Sequence, residues 1–382
     1  MTAILVTGGA GFIGSHTADA LVARGRRVRI LDSLEERVHP GGAPPYLPKP
    51  AELIVGDVRL REDWLRALRG VEVVIHLAAY QDYMCDYSRF FDVNCVGTAL
   101  LYELVVEQRL PVRRIIVASS QAVYGEGRYR CPRDGVIYPG PRDQARLARG
   151  AWDIPCPACG GGMAPAATDE SRANPQNPYA VSKHAQERLA LNLGRAHGIP
   201  TVALRYSIVQ GPRQSPHNVY SGACRVFALT LLCGRAPILF EDGEQLRDYV
   251  HIDDVVAANL RVLEDSRADY EVFNVGGDRP HTVKELYRAV AEAVGSSVRP
   301  RVPGEYRAGD TRHILSDTTK LRVLGWSPTR TLAQNVESYI RWLQAQGGDP
   351  VRLEAGERAM REAGVIRGGD GDTSHPVGGR SC

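Results

Sequence analysis

Tyr179 and Lys183 stand four residues apart in Tyr179-Ala180-Val181-Ser182-Lys183, at the head of a stretch with helical periodicity. Four residues is about one helical turn, so both side chains lie on one face. A free tyrosine titrates near ~10 and is a poor base at neutral pH, but a neighbouring ammonium favours the phenolate and lowers that value. Such a pair can exchange a proton with a substrate hydroxyl while a hydride moves to or from a nicotinamide ring. Ser120, at the end of the apolar run Ile115–Ala118, could hydrogen-bond the same oxygen. By spacing alone a Tyr-x-x-x-Lys pair is common on surface helices, so its weight comes from its surroundings.

The surroundings include Gly8-Gly9-Ala10-Gly11-Phe12-Ile13-Gly14, which follows an apolar strand and opens a helix. Glycines there permit the tight turn and close backbone approach that a pyrophosphate needs at a helix N-terminus. Asp32 closes the next strand 18 positions after Gly14. A carboxylate at that point accepts hydrogen bonds from an adenosine ribose and repels a 2′-phosphate, which favours NAD over NADP. Asp57, in Gly56-Asp57-Val58-Arg59, ends a third strand where it could face the adenine.

The elements that position these residues are short apolar strands alternating with amphipathic helices over the first 120 residues. That rhythm predicts a doubly wound α/β fold, a parallel Rossmann sheet covered on both faces. It breaks between about Gly127 and Thr168 and resumes with a helix from Tyr179 to about His197 and a strand at Thr201–Tyr206. The reading is therefore a Rossmann domain made of 1–126, 168–210 and 244–275. An insertion covers 127–167, and a smaller mixed α/β lobe covers 211–243 and 276–346. A C-terminal helix and tail follow over 347–382, the Gly-rich stretch from Arg367 to Cys382 being read as disordered. The 382 residues carry Lys plus Arg in excess of Asp plus Glu by only three (47 against 44), with no sustained basic run, so neither nucleic acid nor a membrane surface is expected as partner. No stretch approaches the ~18 apolar residues of a membrane span, and the N-terminus lacks a signal-peptide pattern, which reads as a cytoplasmic protein.

These pieces together resemble the extended short-chain dehydrogenase/reductases, the NAD-dependent epimerase/dehydratase group, from residue 2 to about 345. The matching stretches are Gly8–Gly14, Asp32, Gly56-Asp57-Val58, His76-Leu77-Ala78-Ala79, Val93-Asn94-Cys95-Val96-Gly97-Thr98, Ser119-Ser120 before Val123-Tyr124-Gly125, Tyr179 to Lys183, and Arg247-Asp248-Tyr249-Val250-His251. The resemblance implies Ser120, Tyr179 and Lys183 as catalytic triad. It also implies NAD held by Gly8, Gly11, Phe12, Ile13, Gly14, Asp32, Ser33, Asp57, Val58, Leu77, Ala78, Ala79, Asn94, Ser119, Tyr206 and Ile208 beside Tyr179 and Lys183. Arg247 and Arg312 match family arginines that contact the diphosphate or its nucleoside, and a homodimer is implied through the helix following Asn94 and the helix carrying Tyr179.

Within the group, dehydratases carry Asp-Glu immediately before Val-Tyr-Gly and decarboxylases a Glu, whereas this chain has Gln121-Ala122. Neither residue can shuttle a proton as a carboxylic acid would, which leaves redox at one carbon, in a 4-epimerase or a 4-ketoreductase. The stretches Leu204 to Gln214 and Tyr220-Ser221-Gly222, with a cysteine-bearing insertion, resemble the bacterial dTDP-L-rhamnose 4-epimerase group. That likeness favours a tightly NAD-bound 4-epimerase of a dTDP-linked 6-deoxyhexose. Gln81, Tyr83 and Gln121 follow strand ends on the edge of the triad and are candidates to touch the sugar, with Ser207, Arg213 and Asn218 beside them. An NAD-binding regulatory protein without turnover is the competing reading, and the intact Ser120, Tyr179 and Lys183 argue against it.

Cys131-Pro132-Arg133-Asp134-Gly135 and Cys156-Pro157-Ala158-Cys159-Gly160 read as two copies of one knuckle, of the sort that presents thiolates to zinc. Three sulfurs and one carboxylate can close a structural zinc site; a degenerate knuckle without metal is the other reading. Cys85, Cys95, Cys224 and Cys233 read as buried small apolar residues.

Overall fold

The structure, a computed structural model, describes residues 3–82, 85–216, 222–346 and 351–368. Five strands build the first half: β1 (Ala3–Thr7), β2 (Arg27–Asp32), β3 (Glu52–Val55), β4 (Val71–His76) and β5 (Arg114–Ser120). The insertion supplies β6 (Arg128–Cys131), β7 (Gly135–Ile137) and β8 (Ala164–Ala166). After it come β9 (Thr201–Tyr206), β10 (Ile208–Gln210), β11 (Leu246–His251), β12 (Val272–Val275), β13 (Pro280–Thr282), β14 (Tyr306–Arg307) and β15 (Ile366–Arg367).

The central sheet has the order β12-β9-β5-β4-β1-β2-β3, and every neighbouring pair is parallel. Alternation along its strands sorts the core into two layers. Ile4, Val6, Ile30, Ile75 and Ile116 pack on one face against Ala18 and Leu21 of the helix Phe12–Ala23 and Val255 of the helix Ile252–Glu264. Ala3, Leu5, Leu31, Val74 and Val117 pack on the other against Trp64, Leu101, Leu104 and Ala190 of the helices Arg61–Ala67, Gly97–Glu107 and Pro178–His197. This is the doubly wound arrangement, whose ligand crevice lies at the carboxyl ends of the strands where the order reverses beside β1.

β10 and β11 leave that sheet and join β13 in a second, three-stranded one, a departure from the sequence reading that kept residues 208–210 and 246–251 with the Rossmann strands. The helix Ile252–Glu264 and β12 then return to the central sheet. The helices Ala223–Leu232, Val283–Val294 and Leu332–Gln346 enclose a separate core around Phe227, Leu286, Val290, Tyr339 and Leu343. The insertion forms a third small sheet, β7-β6-β8. Arg367, read as the start of a disordered tail, instead pairs in β15 with Tyr306 of β14; the residues after 368 lie outside the described ones. Among the described residues no helix is long and apolar enough to cross a membrane.

Local signals set the helix Pro178–His197. Asn177 caps it by accepting the Ala180 N–H at 2.8 Å, Pro178 occupies the first turn, and Gly198 at φ 65° ends it in the left-handed conformation. One buried ion pair holds this helix to the sheet: Arg205 of β9 grips Glu187 at 2.6 and 2.9 Å, and Glu187 also accepts the Ser119 hydroxyl at 2.8 Å. Glu187→Ala leaves a buried guanidinium uncompensated and is expected to cost about 3–5 kcal/mol. Urea unfolding measures it, and a loss below about 1 kcal/mol would show that the pair is not needed to dock the helix.

Candidate active site

One cleft of about 1540 Å³ runs along the carboxyl edge of the sheet and on into the smaller lobe. At one end β1 turns into the helix Phe12–Ala23 through the glycine run. Gly8 has φ +65°, and a Cβ there would sit 2.8 Å from the Ala78 amide nitrogen. A Cβ on Gly14 would collide with the Gly8 carbonyl. Gly11 is the N-cap, no side chain caps the helix and no acidic residue stands in its first turn, so its leading N–H groups are left for an anion. Asp32 is fixed by two backbone donors, Ala10 N–H and Leu34 N–H, each at 2.9 Å. A carboxylate has acceptor capacity beyond those two bonds, and Asp32 lines the cleft. The residues present therefore fit a dinucleotide. Phe12, Ile13, Ser33, Asp57, Val58, Leu77, Ala78, Ala79, Ser119 and Ile208 share the same walls. Asp57 is clasped by Arg59 at 2.6 Å.

Ser120, Tyr179 and Lys183 line the middle of the cleft. Ser120 Oγ accepts the Ala122 N–H at 3.1 Å, which orients the hydroxyl. Phe90 packs against the Tyr179 ring with centroids 6.4 Å apart. Lys183 is 1% exposed, and burial pushes its pKa down to about 7. Its Nζ donates to Gln186 Oε1, and Gln186 Nε2 donates to Thr98 Oγ1 at 2.9 Å. The Thr98 hydroxyl donates to the Asn94 carbonyl at 2.7 Å, so its oxygen accepts from His76 Nε2 at 3.0 Å. That leaves His76 Nδ1 to accept the Thr7 hydroxyl at 2.7 Å. His76 is a neutral imidazole, its pKa lowered to about 3 by burial and then by the Lys183 charge.

Several residues stand apart from their sequence-based expectation. Asn94, expected at the cofactor, is fully buried in the π-helical turn Asp92–Val96 and is absent from the cleft wall. Its amide accepts Tyr80 N–H at 2.8 Å and donates to Tyr80 O and Ser182 Oγ, so it positions the loop after β4 against the helix Pro178–His197. Arg312 also lies away from the cleft wall. Its guanidinium is committed to Asp242 at 2.7 and 2.8 Å, to Glu241 at 3.1 Å and to Asp153 at 2.8 Å. Arg213 reaches the cleft, yet stacks on Tyr46 and pairs with Asp19 at 2.7 Å, on the dinucleotide side. Tyr206 borders the cleft but turns its hydroxyl to Asn259 at 2.6 Å, and Ser207 donates to Asp248 at 3.0 Å. Gln81 and Gln121 face the cleft; Gln121 is buried, and its Oε1 has no hydrogen-bond partner among the described residues. Tyr83 and Asn218 lie outside the described residues.

In the smaller lobe Arg247 lines the cleft while donating to the carbonyls of Leu246, Thr311 and Arg312. Arg235, Arg301 and Arg307 join it there. They were not singled out from the sequence, where each is an isolated arginine with no motif. Cys224 is buried as expected, but Cys85 and Cys95 are only half-buried and Cys233 is exposed at the end of its helix.

A profile of the NAD dependent epimerase/dehydratase family matches residues 4–144 and 159–276. The chain is similar to the dTDP-L-rhamnose 4-epimerase of Burkholderia thailandensis, with 34% identity over 89% of this chain and 94% of that protein. Among solved structures it resembles the UDP-glucose 4-epimerase of Thermotoga maritima with UDP-glucose, at 30% identity and a TM-score of 0.74, covering 90% of this chain and 99% of that one. It also resembles the Thermus thermophilus UDP-glucose 4-epimerase in complex with NAD, at 30% identity and a TM-score of 0.69, with the same coverage. The chain belongs to the NAD-dependent epimerase/dehydratase family.

The Lys183 environment has a measurable consequence. The group's pKa falls from 10.5 to about 7 on folding, so between those values the unfolded chain binds the extra proton. Stability of the cofactor-free protein is therefore expected to rise with pH across that window. In Lys183→Met this contribution to the slope is expected to vanish, as read by denaturant melts at successive pH values; equal slopes in both proteins would refute a buried, depressed lysine.

Proposed function

We propose that the protein is an NAD-dependent nucleotide-sugar 4-epimerase acting on a dTDP-linked 6-deoxyhexose such as dTDP-L-rhamnose, with NAD⁺ tightly bound. The observation that carries this reading is the placement of Ser120, Tyr179 and Lys183 along one cleft, between the glycine turn and the arginines of the smaller lobe. Bound NAD⁺ supplies a hydride acceptor and donor at C4 of the sugar. Gly11 and the uncapped helix start would hold its pyrophosphate, and Asp32 its adenosine ribose. Tyr179 takes the proton of the C4 hydroxyl, Ser120 holds that oxygen, and Lys183 supports the phenolate. The 4-keto sugar turns over in the cleft, and Tyr179 returns the proton once the opposite face is presented. Arg235, Arg247, Arg301 and Arg307 suit the diphosphate, since guanidinium groups fit phosphate oxygens.

Gln121 and Ala122 occupy the positions where elimination or decarboxylation would call for a carboxyl group, which supports redox at C4 alone. The dTDP choice is supported by the Burkholderia relative. A homodimer belongs to the same reading: Val106 and Val181 are exposed by 38% and 40% on the two helices expected to meet a second copy, and Val96 by 47% in the turn that precedes the first of them. Val181→Glu is expected to yield monomers in sedimentation equilibrium, and a wild-type monomer at micromolar concentration would end that part of the proposal.

The deciding experiment incubates purified protein with dTDP-L-rhamnose and no added nicotinamide cofactor, following the sugar by NMR. Conversion to the C4 epimer is expected, with Tyr179→Phe slower by ~10²–10⁴-fold. No conversion there, together with stoichiometric consumption of NADH or NADPH by a dTDP-4-keto-6-deoxysugar, would make the enzyme a ketoreductase instead.

A further inference from the structure

The two Cys-Pro turns of the insertion meet. Cys131 ends β6, and its turn closes the β6–β7 hairpin through Gly135 at φ +77°. The second turn has the matching glycine, Gly160, at φ +72°, and its amide donates to the Cys156 carbonyl at 2.8 Å. The Gly161 amide is directed at the Cys159 sulfur. The sulfurs of Cys131, Cys156 and Cys159 and a carboxylate oxygen of Asp134 all lie within 4.8 Å of one another. Tetrahedral zinc, with Zn–S of about 2.3 Å and Zn–O of about 2.0 Å, requires about 3.8 Å between sulfurs and about 3.5 Å between sulfur and oxygen. Here Cys131 and Cys159 sulfurs are 3.6 Å apart, and Asp134 Oδ2 stands 3.3 Å from the Cys131 sulfur and 3.2 Å from that of Cys156. The spacing between the sulfurs is far beyond the about 2.05 Å of a disulfide.

The same insertion is fastened to the wall of the cleft. Arg142 donates to the Asp310 carbonyl at 2.7 Å and pairs with Glu241 at 2.8 Å and Glu126 at 3.2 Å, all with little solvent contact. Asp153 pairs with Arg312, and Trp152 packs on Tyr306 with ring centroids 6.0 Å apart. Arg307, Asp310 and Thr311 of that segment line the cleft.

We infer that Cys131, Asp134, Cys156 and Cys159 bind one zinc ion, and that the ion acts as a clamp: it fixes the insertion so that Arg142, Trp152 and Asp153 hold the 305–313 wall of the cleft in its nucleotide-binding shape. Thiolate ligands favour zinc over magnesium or calcium, and binding releases the thiol protons to solvent. Four protein ligands close the coordination sphere, so the ion takes no part in the hydride chemistry. The clamp's effect on nucleotide affinity rests on the proposed nucleotide-sugar reading; the metal site does not.

The test uses full-length protein from zinc-supplemented culture. Metal analysis is expected to return about one zinc per chain. Cys156→Ser combined with Cys159→Ser is expected to lose it, and Asp134→Cys to keep it and hold it more tightly against a chelator. Removing zinc is expected to speed hydrogen exchange in 126–167 and 305–313, to leave β1–β5 unchanged, and to weaken dTDP binding by about tenfold, or about 1.4 kcal/mol. Zinc-free protein that also fails to take up cobalt with thiolate charge-transfer bands, or a Cys131–Cys159 disulfide in the purified protein, would overturn the site. Faster exchange confined to the insertion, with dTDP affinity unchanged, would overturn the clamp. If neither form binds dTDP while the exchange pattern is as expected, the clamp stands and the nucleotide reading falls.

Discussion

A lysine amino group without a water shell is the constraint around which this protein is arranged. Lys183 is 1% exposed, and its side-chain hydrogen-bond partner among the described residues is the neutral amide of Gln186. An isolated buried charge is costly, and the polar chain beneath it offsets part of that cost. From Gln186 the chain passes through Thr98 and His76 to Thr7, the last residue of β1. The helices Pro178–His197 and Gly97–Glu107, β4 and β1 are thus registered by one set of buried hydrogen bonds. Because β1 also leads into the glycine turn, Tyr179 and that turn are set relative to each other by the same contacts.

A second buried polar system organises the opposite wall. Glu126 accepts the Arg312 amide at 2.7 Å and faces Arg142, while Glu241 and Asp242 receive the two guanidinium groups. Burial raises the Glu126 pKa to about 7 even beside Arg142. Buried ion pairs of this kind seldom add much stability against apolar residues of similar size, but they fix geometry. Here they tie three distant stretches, around 126, 142 and 241, to the segment that forms one side of the cleft.

Which parts of this were legible in the sequence follows from the range of the interactions. The glycine turn, Asp32 and the Tyr179–Lys183 pair depend on local spacing, and each is found lining the cleft. The central sheet was legible because its strands are buried on both faces and read as continuous apolar runs. Arg312, Arg213 and Asn94 were not, because whether a polar side chain faces a ligand or a neighbour depends on partners remote in the chain: Asp153, Glu241 and Asp242 for Arg312, Asp19 for Arg213, Tyr80 and Ser182 for Asn94. Arg235, Arg301 and Arg307 carry no motif at all and come together only through the fold of the smaller lobe. The departure of β10 and β11 into their own sheet was equally hidden, since β11 pairs there with β10 and β13, strands of three residues that leave no periodic pattern.

The central claim is a closed redox cycle, in which the hydride removed from C4 is the one returned. Substrate carrying deuterium at C4 tests this most directly. Mass and NMR analysis of the sugar after turnover in ordinary water, with no added cofactor, should find the label still at C4 in the epimer. Loss of the label to solvent, or its accumulation as reduced nicotinamide without formation of an epimer, would contradict the account.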